Sequence, residues 1–237
     1  MADNKPTLHH LNNSQSQRIL WLLEELGIEY NLEAHTRNPP SHPSAPFRSP
    51  PSLQSIGSGK APTLITGAAD GNRTITESSA IATYLIRTFD KEDKFGLKNG
   101  DWIRDEMLTS VAQTTLSRAT FTLLMLDFGL LRNGTGPGGK NYDGPEIRNV
   151  CKDLTRELKE GPKGGFFMGE HPGRADIMLE FGLTGIKQRE SADLKNEFPE
   201  LEAWLQRVYE RPAWKRAVGK AFDGVYDFTT FPKGPHL

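Results

Sequence analysis

Near residue 90 the hydrophobic periodicity of this chain changes character, and few architectures accommodate both sides of the change. Up to that point short strand-like and helix-like segments alternate. PTLHHL (6–11) and the alternating EYNLEAHT (29–36) read as strands on either side of a helix over 14–26. In that helix Ile19, Leu22, Leu23 and Leu26 fall at i, i+3, i+4 and i+7, and Gly27 stops the last turn. PTLIT (62–66) and NRTIT (72–76) flank the turn-rich GAADG and predict a hairpin. A second helix is expected over 77–89, with Ile81 and Leu85 facing inward. A βαβ unit followed by ββα makes a small mixed sheet with helices packed on it.

Beyond DKEDKFGLKNG (90–100) only helical patterns remain. A long helical stretch runs over 101–127, the glycine-rich GLLRNGTGPGGKNYDGP (129–145) interrupts it, and helices resume from Pro145. Leu201, Trp204, Leu205 and Val208 form another i, i+3, i+4, i+7 stripe, and Pro212 restarts a short helix. The aromatic tail from Phe222 is expected to lie across the surface, and the proline-dense RNPPSHPSAPFRSPPS (37–52) is expected to be an irregular loop. The expected organisation is a small α/β domain at 1–90, a linker at 91–100 and a larger all-helical domain at 101–237.

Composition narrows the partners. Lys+Arg number 29 and Asp+Glu 30, giving a formal net charge of -1, so no general attraction to nucleic acid or anionic lipid is expected. No run approaches the roughly 20 apolar residues of a membrane span. Cys151 is the only cysteine, which rules out an internal disulfide or a thiolate zinc site. MADNKPTLHH has no basic start followed by an apolar stretch, so a cytoplasmic location is the expectation. His9 and His10 are adjacent on a strand, point to opposite faces and cannot chelate one ion together; no metal site is expected. GTGPGGK lacks the strand-to-helix setting of a phosphate loop.

Three polar junctions carry chemistry. Ser14, followed three residues later by Gln17, has the spacing of a capping box. Capping alone would explain it. A serine hydroxyl also donates outward, and an anion there feels the positive helix end. A thiol at such a point ionises more easily. Cys151 is far away in sequence, so that thiol would have to come from a ligand. GKAPTL places Pro62 at the start of a strand; if the Ala61–Pro62 bond is cis, the Ala61 backbone turns outward and can pair with an extended, peptide-like ligand. The alternative is an ordinary edge strand. TITESSAIATYL puts Glu77 and Ser78 at another helix start, where they either cap the helix or hold the ammonium and carboxylate of an amino-acid head group.

The order of these elements, with the motifs NNSQSQRILWLLEELGIEY, GKAPTL, TESSAIATYLIRTFD, RADIMLEFGL and FPELEAWLQRVYERPAWKRA, resembles the glutathione transferase family. The resemblance spans nearly the whole chain and is greatest to the fungal class typified by the yeast endoplasmic-reticulum-associated enzyme. It implies a thioredoxin-like N-terminal domain, an all-α C-terminal domain and usually a homodimer. Glutathione would lie along the first domain, and a small hydrophobic electrophile between the domains. By position, Ser14 matches the serine that donates to the glutathione thiolate, and Asn13 is the other candidate, since some fungal relatives resemble asparagine-type enzymes. Ala61 and Pro62 match the site that pairs with the cysteinyl backbone, Glu77 and Ser78 the pair that holds the γ-glutamyl group, and Lys60 a contact to the glycyl carboxylate.

SIGSGK is shorter than the usual segment before this proline and lacks its own proline, and Gly173 stands where a serine or threonine normally caps a later helix, with Asp176 retained. Glutathione transfer is the leading reading. A glutathione-dependent cis–trans isomerase of fungal biosynthesis and a non-catalytic binding module of the same fold are the alternatives. Trp102, Ile103 and Phe121 either line the electrophile pocket or, as such spacing more often means, belong to the core.

Overall fold

A computed structural model describes residues 4–38, 49–128 and 143–231. Most of the proline-dense segment, the glycine-rich segment up to residue 142 and the end of the aromatic tail lie outside the described residues. The chain forms two compact units, one of Met1–Asp93 with Arg211–Tyr226 and one of Lys94–Glu210 with Asp227–Leu237.

The first unit opens with β1 (Thr7–Leu11), α1 (Ser16–Leu26) and β2 (Asn31–His35). A single turn, α2 (Pro51–Gln54), precedes β3 (Thr63–Ile65), β4 (Thr74–Ile75) and α3 (Ser78–Phe89). The sheet order is β2-β1-β3-β4, with β1 parallel to β2 and antiparallel to β3, and β3 antiparallel to β4. This is the mixed sheet of a βαβ unit closed by a hairpin, as the periodicity implies.

Gly27 ends α1 in the left-handed region at φ 64, and its N–H donates to the Leu23 carbonyl at 3.1 Å. The start of α1 differs from expectation. The helix begins at Ser16 rather than Ser14, the Gln15 cap position makes no side-chain cap bond, and the capping box between Ser14 and Gln17 is not formed. Ser14 Oγ accepts instead from the Ser16 N–H at 3.2 Å.

Every residue of α1 from Ser16 to Glu24 is buried. A helix buried all round needs cover on every side. Beyond β1 and α3, that cover is α10 (Pro212–Gly219), which packs along α1. Trp214 meets Trp21 edge-on with centroids 5.6 Å apart, and Arg216 Nε donates to Glu24 Oε2 at 2.8 Å. Arg211 Nη2 donates to Glu25 Oε2 at 2.7 Å.

Three histidines are buried around β1 and β2. His9 Nδ1 lies 3.1 Å from His35 Nε2, and His35 Nδ1 lies 2.9 Å from Ser52 Oγ. His10 projects to the other face, against α1 and the Phe222 ring. Burial, with the nearby His35 adding to it, pushes the His10 imidazole from 6.5 down to about 4.

The second unit contains α4 (Trp102–Val111), a π-helical turn at Ala112–Leu116, α5 (Ser117–Asp127), α6 (Asp143–Glu160), α7 (Arg174–Arg189), α8 (Leu194–Glu197) and α9 (Pro199–Glu210). The long helical stretch therefore departs from regular α bonding over Ala112–Leu116. A Cβ on Gly182 would come within 2.5 Å of the Leu116 side chain, so the π turn seats directly on the backbone of α7.

Asp105 of α4 accepts from Arg174 Nε at 2.8 Å and from the Ala175 N–H at 3.0 Å, fixing the start of α7. Asp176 is fully buried and accepts from the N–H groups of Phe167 (2.8 Å), Met168 (3.2 Å) and Gly173 (3.0 Å) and from Trp204 Nε1 (2.8 Å). Gly173 has no side chain to return the cap, so this one carboxylate holds the loop before α7 to α9.

Leu201, Trp204, Leu205 and Val208 are all fully buried, as their spacing requires. Burial pushes the Cys151 thiol up to about 12, which marks it as packing rather than a nucleophile. Trp102, Ile103 and Phe121 are 67, 64 and 51% exposed, so they are not core. Phe228 anchors the tail: it is buried, meets Phe181 edge-on at 5.3 Å, and its N–H donates to Gln188 Oε1 at 2.7 Å. No helix among the described residues is long and apolar enough to cross a membrane.

Asp176→Ala would strand three buried donors, each costing about 1–3 kcal/mol, and the half-buried Met168 N–H. Urea unfolding is expected to show a loss of at least about 3 kcal/mol; a loss below about 1 kcal/mol would contradict this role. The depressed His10 imidazole binds its proton first in the unfolded chain. Its contribution to stability is therefore complete above pH 6.5 and is lost as pH falls toward 4, by up to about 3 kcal/mol. The raised carboxyls of Asp105 and Asp176 act in the opposite sense, so the comparison must isolate one group. The difference in unfolding free energy between wild type and His10→Asn should shrink from pH 7 to pH 5; a constant difference would reject this titration.

Candidate active site

Strand register decides which polar residues meet. His9 pairs with Thr63 across β1 and β3, and Leu64 pairs with Ile75 across β3 and β4. Both ladders run out at this end, and Pro62 and Ala61 precede β3 there while Thr76 and Glu77 follow β4. The C-terminal end of β1, the N-terminal end of β3 and the C-terminal end of β4 therefore share one end of the sheet. The turn carrying Asn13 and Ser14, the Lys60–Pro62 segment and the Glu77–Ser78 junction all lie at that end.

The Ala61–Pro62 bond is cis. Pro62 is buried and Ala61 half-buried, and the exposed Lys60 has its carbonyl held by Thr63 Oγ1 at 2.7 Å. Glu77 is exposed and has φ 69, ψ 118, a conformation that favours glycine and costs a side-chain-bearing residue about 1–3 kcal/mol. Ser78 follows as the first residue of α3, 4% exposed, at the positive end of that helix.

The β1–α1 turn is tied down on both sides. The Asn12 N–H donates to the His35 carbonyl at 3.3 Å, and Asn12 Oδ1 accepts from the Arg37 N–H at 2.7 Å. Arg37 Nη2 donates to the Asn13 carbonyl at 3.1 Å. Asn13 takes φ 46, within the range asparagine tolerates, and its side chain is buried.

Ser14 is 6% exposed. Its hydroxyl lies 2.8 Å from the Leu11 carbonyl, to which it donates, and 2.7 Å from Ser16 Oγ. Ser16 Oγ accepts from the Leu11 N–H at 3.0 Å, lies 3.1 Å from the Leu11 carbonyl and stands 2.7 Å from His10 Nδ1. Ser14 thus sits inside a four-member polar cluster rather than at a simple helix cap. His10, Ser16 and Arg37 are the residues that the sequence patterns did not single out for this site. The repeated serine in NNSQS, two residues after a histidine-bearing strand, is the signal that could have found the first two.

Among the described residues no group of three or more His, Cys, Asp or Glu side chains is placed to hold a metal ion. The assembled groups instead suit an extended zwitterionic ligand. The Ala61 backbone can pair with a peptide unit, Ser78 at a helix start can take a carboxylate, the Glu77 carboxylate can take an ammonium, and a hydroxyl stands at a second helix start.

Known proteins share both halves of this fold. Residues 14–88 match the family model for the glutathione S-transferase N-terminal domain, and residues 139–212 match that for the C-terminal domain. Glutathione S-transferase 3 of Schizosaccharomyces pombe is 36% identical over 230 residues, covering 92% of this chain and 88% of the relative. Glutathione S-transferase 1 of Saccharomyces cerevisiae is 24% identical over 230 residues, covering 90% of this chain and 94% of the relative. A solved glutathione S-transferase from Actinobacillus pleuropneumoniae superposes with a TM-score of 0.77 at 26% identity, covering 95% of this chain and 96% of that one. A transferase from Phanerochaete chrysosporium, solved with oxidized glutathione, shares the fold at a TM-score of 0.69 and 22% identity over 91% of this chain and 94% of its own. With both domain models matched and a relative above one-third identity along nearly its whole length, the chain belongs to the glutathione S-transferase family.

Proposed function

We propose that the protein binds reduced glutathione at the sheet end where β1, β3 and β4 converge, and holds its sulfur as a thiolate through Ser14. The thiolate attacks an electrophilic carbon of a small hydrophobic molecule. A C–S bond forms, the displaced electron pair passes to the leaving group or conjugated acceptor, and the thiol proton goes to solvent. Ala61 pairs with the cysteinyl backbone, Ser78 holds the γ-glutamyl carboxylate, Glu77 its ammonium and Lys60 the glycyl carboxylate. Asn13, in the same turn, is the second polar group within the reach of the sulfur. The enzyme works as a cytoplasmic homodimer on this reading.

The observation that carries the reading is the register. Two antiparallel pairings bring residues from three separate sequence segments to one end of the sheet. The chemistry is positioning plus electrostatic stabilisation, with no covalent enzyme intermediate. Lowering a thiol from about 8.5 by ~1.5 units raises the thiolate fraction near neutral pH roughly tenfold.

Ser14→Ala is expected to lower kcat/KM toward a reactive aryl halide by at least tenfold, while calorimetry finds glutathione affinity within about threefold of wild type. Full activity in that variant would remove Ser14 from the mechanism. Glu77→Gln should weaken glutathione about tenfold through loss of a charge-assisted bond and leave the unfolding midpoint unchanged, because the side chain is exposed. Absence of any binding heat with millimolar glutathione would reject the proposed function as a whole.

A further inference from the structure

The Ser14 hydroxyl has one proton and two claimants. On the proposed function it must reach the glutathione sulfur, yet it donates to the Leu11 carbonyl at 2.8 Å and lies 2.7 Å from Ser16 Oγ. Following the protons through the cluster shows what releases it. Two backbone donors are fixed: the Leu11 N–H points at Ser16 Oγ (3.0 Å) and the Ser16 N–H at Ser14 Oγ (3.2 Å). Each hydroxyl oxygen therefore has one acceptor site already filled.

His10 decides the rest. If Nδ1 carries no proton, its lone pair faces Ser16 Oγ at 2.7 Å, and Ser16 must donate to it. The 2.7 Å contact between the two serines then needs the Ser14 proton, which is held inside the protein. If Nδ1 carries the proton, His10 donates to Ser16. Ser16 has both acceptor sites filled and passes its own proton to Ser14. Ser14 then accepts from Ser16 Oγ and from the Ser16 N–H, and its proton is free to turn from the Leu11 carbonyl toward an anion. The donors align in one direction, from imidazole to hydroxyl to hydroxyl, and each bond polarises the next.

We propose that His10 and Ser16 are positioning residues that aim the Ser14 proton at the glutathione sulfur, with neutral His10 in its Nδ1–H tautomer. This rests on Ser14 as the thiolate donor and adds the two residues that make that donation possible. Neither touches the ligand. The burial of His10, which keeps its ring neutral, restricts the choice to two tautomers. Releasing the Ser14 proton leaves the Leu11 carbonyl without a hydroxyl donor, because the single Ser16 proton is committed to Ser14 Oγ; the stronger bond to the thiolate offsets that loss.

The tautomer is read directly on the unaltered protein by nitrogen-15 NMR of the histidine side chains, with glutathione bound at neutral pH. A proton on His10 Nδ1 supports the relay; a proton on Nε2 with Nδ1 bare overturns it. Variants give a second, independent reading through the ionisation of the bound thiol, followed by ultraviolet thiolate absorbance. Ser16→Ala removes the hydroxyl that donates to Ser14 Oγ and polarises it, and should raise the bound thiol by about one pK unit. Ser16→Thr should restore the wild-type value. The Ser14→Ala, Ser16→Ala double variant should raise the thiol no further than Ser14→Ala alone, because the two residues act in series. If Ser14→Ala raises the thiol and Ser16→Ala does not, the relay is overturned and Ser14 keeps its place. If neither variant moves the thiol of bound glutathione, the assignment of Ser14 itself fails, and the relay with it.

Discussion

A carbonyl at the end of a buried strand must find a donor, and at Leu11 that requirement organises the whole candidate site. Leu11 closes β1 against β2 and is itself buried. Leaving such a group unpaired costs on the order of 1–3 kcal/mol. The chain answers with two serines in the next five residues, both within hydrogen-bond reach of that oxygen. The demand pulls the turn inward, delays the start of α1 to Ser16 and stations a hydroxyl at the sheet end. The same bond then competes with any ligand for the Ser14 proton. A thiolate is the stronger acceptor, because a bond to an ionised partner is roughly twice as strong as one between neutral groups. Structural need and catalytic use therefore draw on one proton, and the stronger acceptor wins only when it is present.

Rigidity around that turn comes from opposite directions. Arg37 grips its backbone from the far end of β2, and α1 behind it is buried on every face. The last part of that cover is supplied by α10, whose Arg211 and Arg216 meet the adjacent carboxylates Glu25 and Glu24 while Trp214 packs on Trp21. A segment nearly two hundred residues downstream thus helps hold the helix whose start carries Ser14. The Trp214 contact is apolar and well buried, so packing contributes more there than the partly exposed ion pairs.

Much of this was legible in the sequence where one periodicity governed an element. The stripe at Ile19, Leu22 and Leu23 and the stop at Gly27 located α1, the paired runs around GAADG located the β3–β4 hairpin, and Leu201, Trp204, Leu205 and Val208 are all fully buried. Local spacing failed where a distant partner decides. Ser14 and Gln17 have capping-box spacing, but the acceptor on Leu11 and the ring of His10 redirect the serine hydroxyls. Nothing around RPAW indicates that the helix it starts returns to α1. For Trp102, Ile103 and Phe121 helical spacing left core and pocket lining open, and their exposure excludes the core. Of the candidate residues, the register brings Asn13, Ser14, Lys60, Ala61, Pro62, Glu77 and Ser78 to one end of the sheet. It does not say which polar group meets the sulfur, because that depends on proton positions within a cluster that no linear pattern encodes.

A crystal structure of the protein with reduced glutathione tests the central claim most directly. The expected result is a sulfur within hydrogen-bond distance of Ser14 Oγ, with that oxygen turned away from the Leu11 carbonyl and still in contact with Ser16 Oγ. A sulfur seated on the Asn13 side chain, or elsewhere, while Ser14 remains bonded to Leu11 would contradict it.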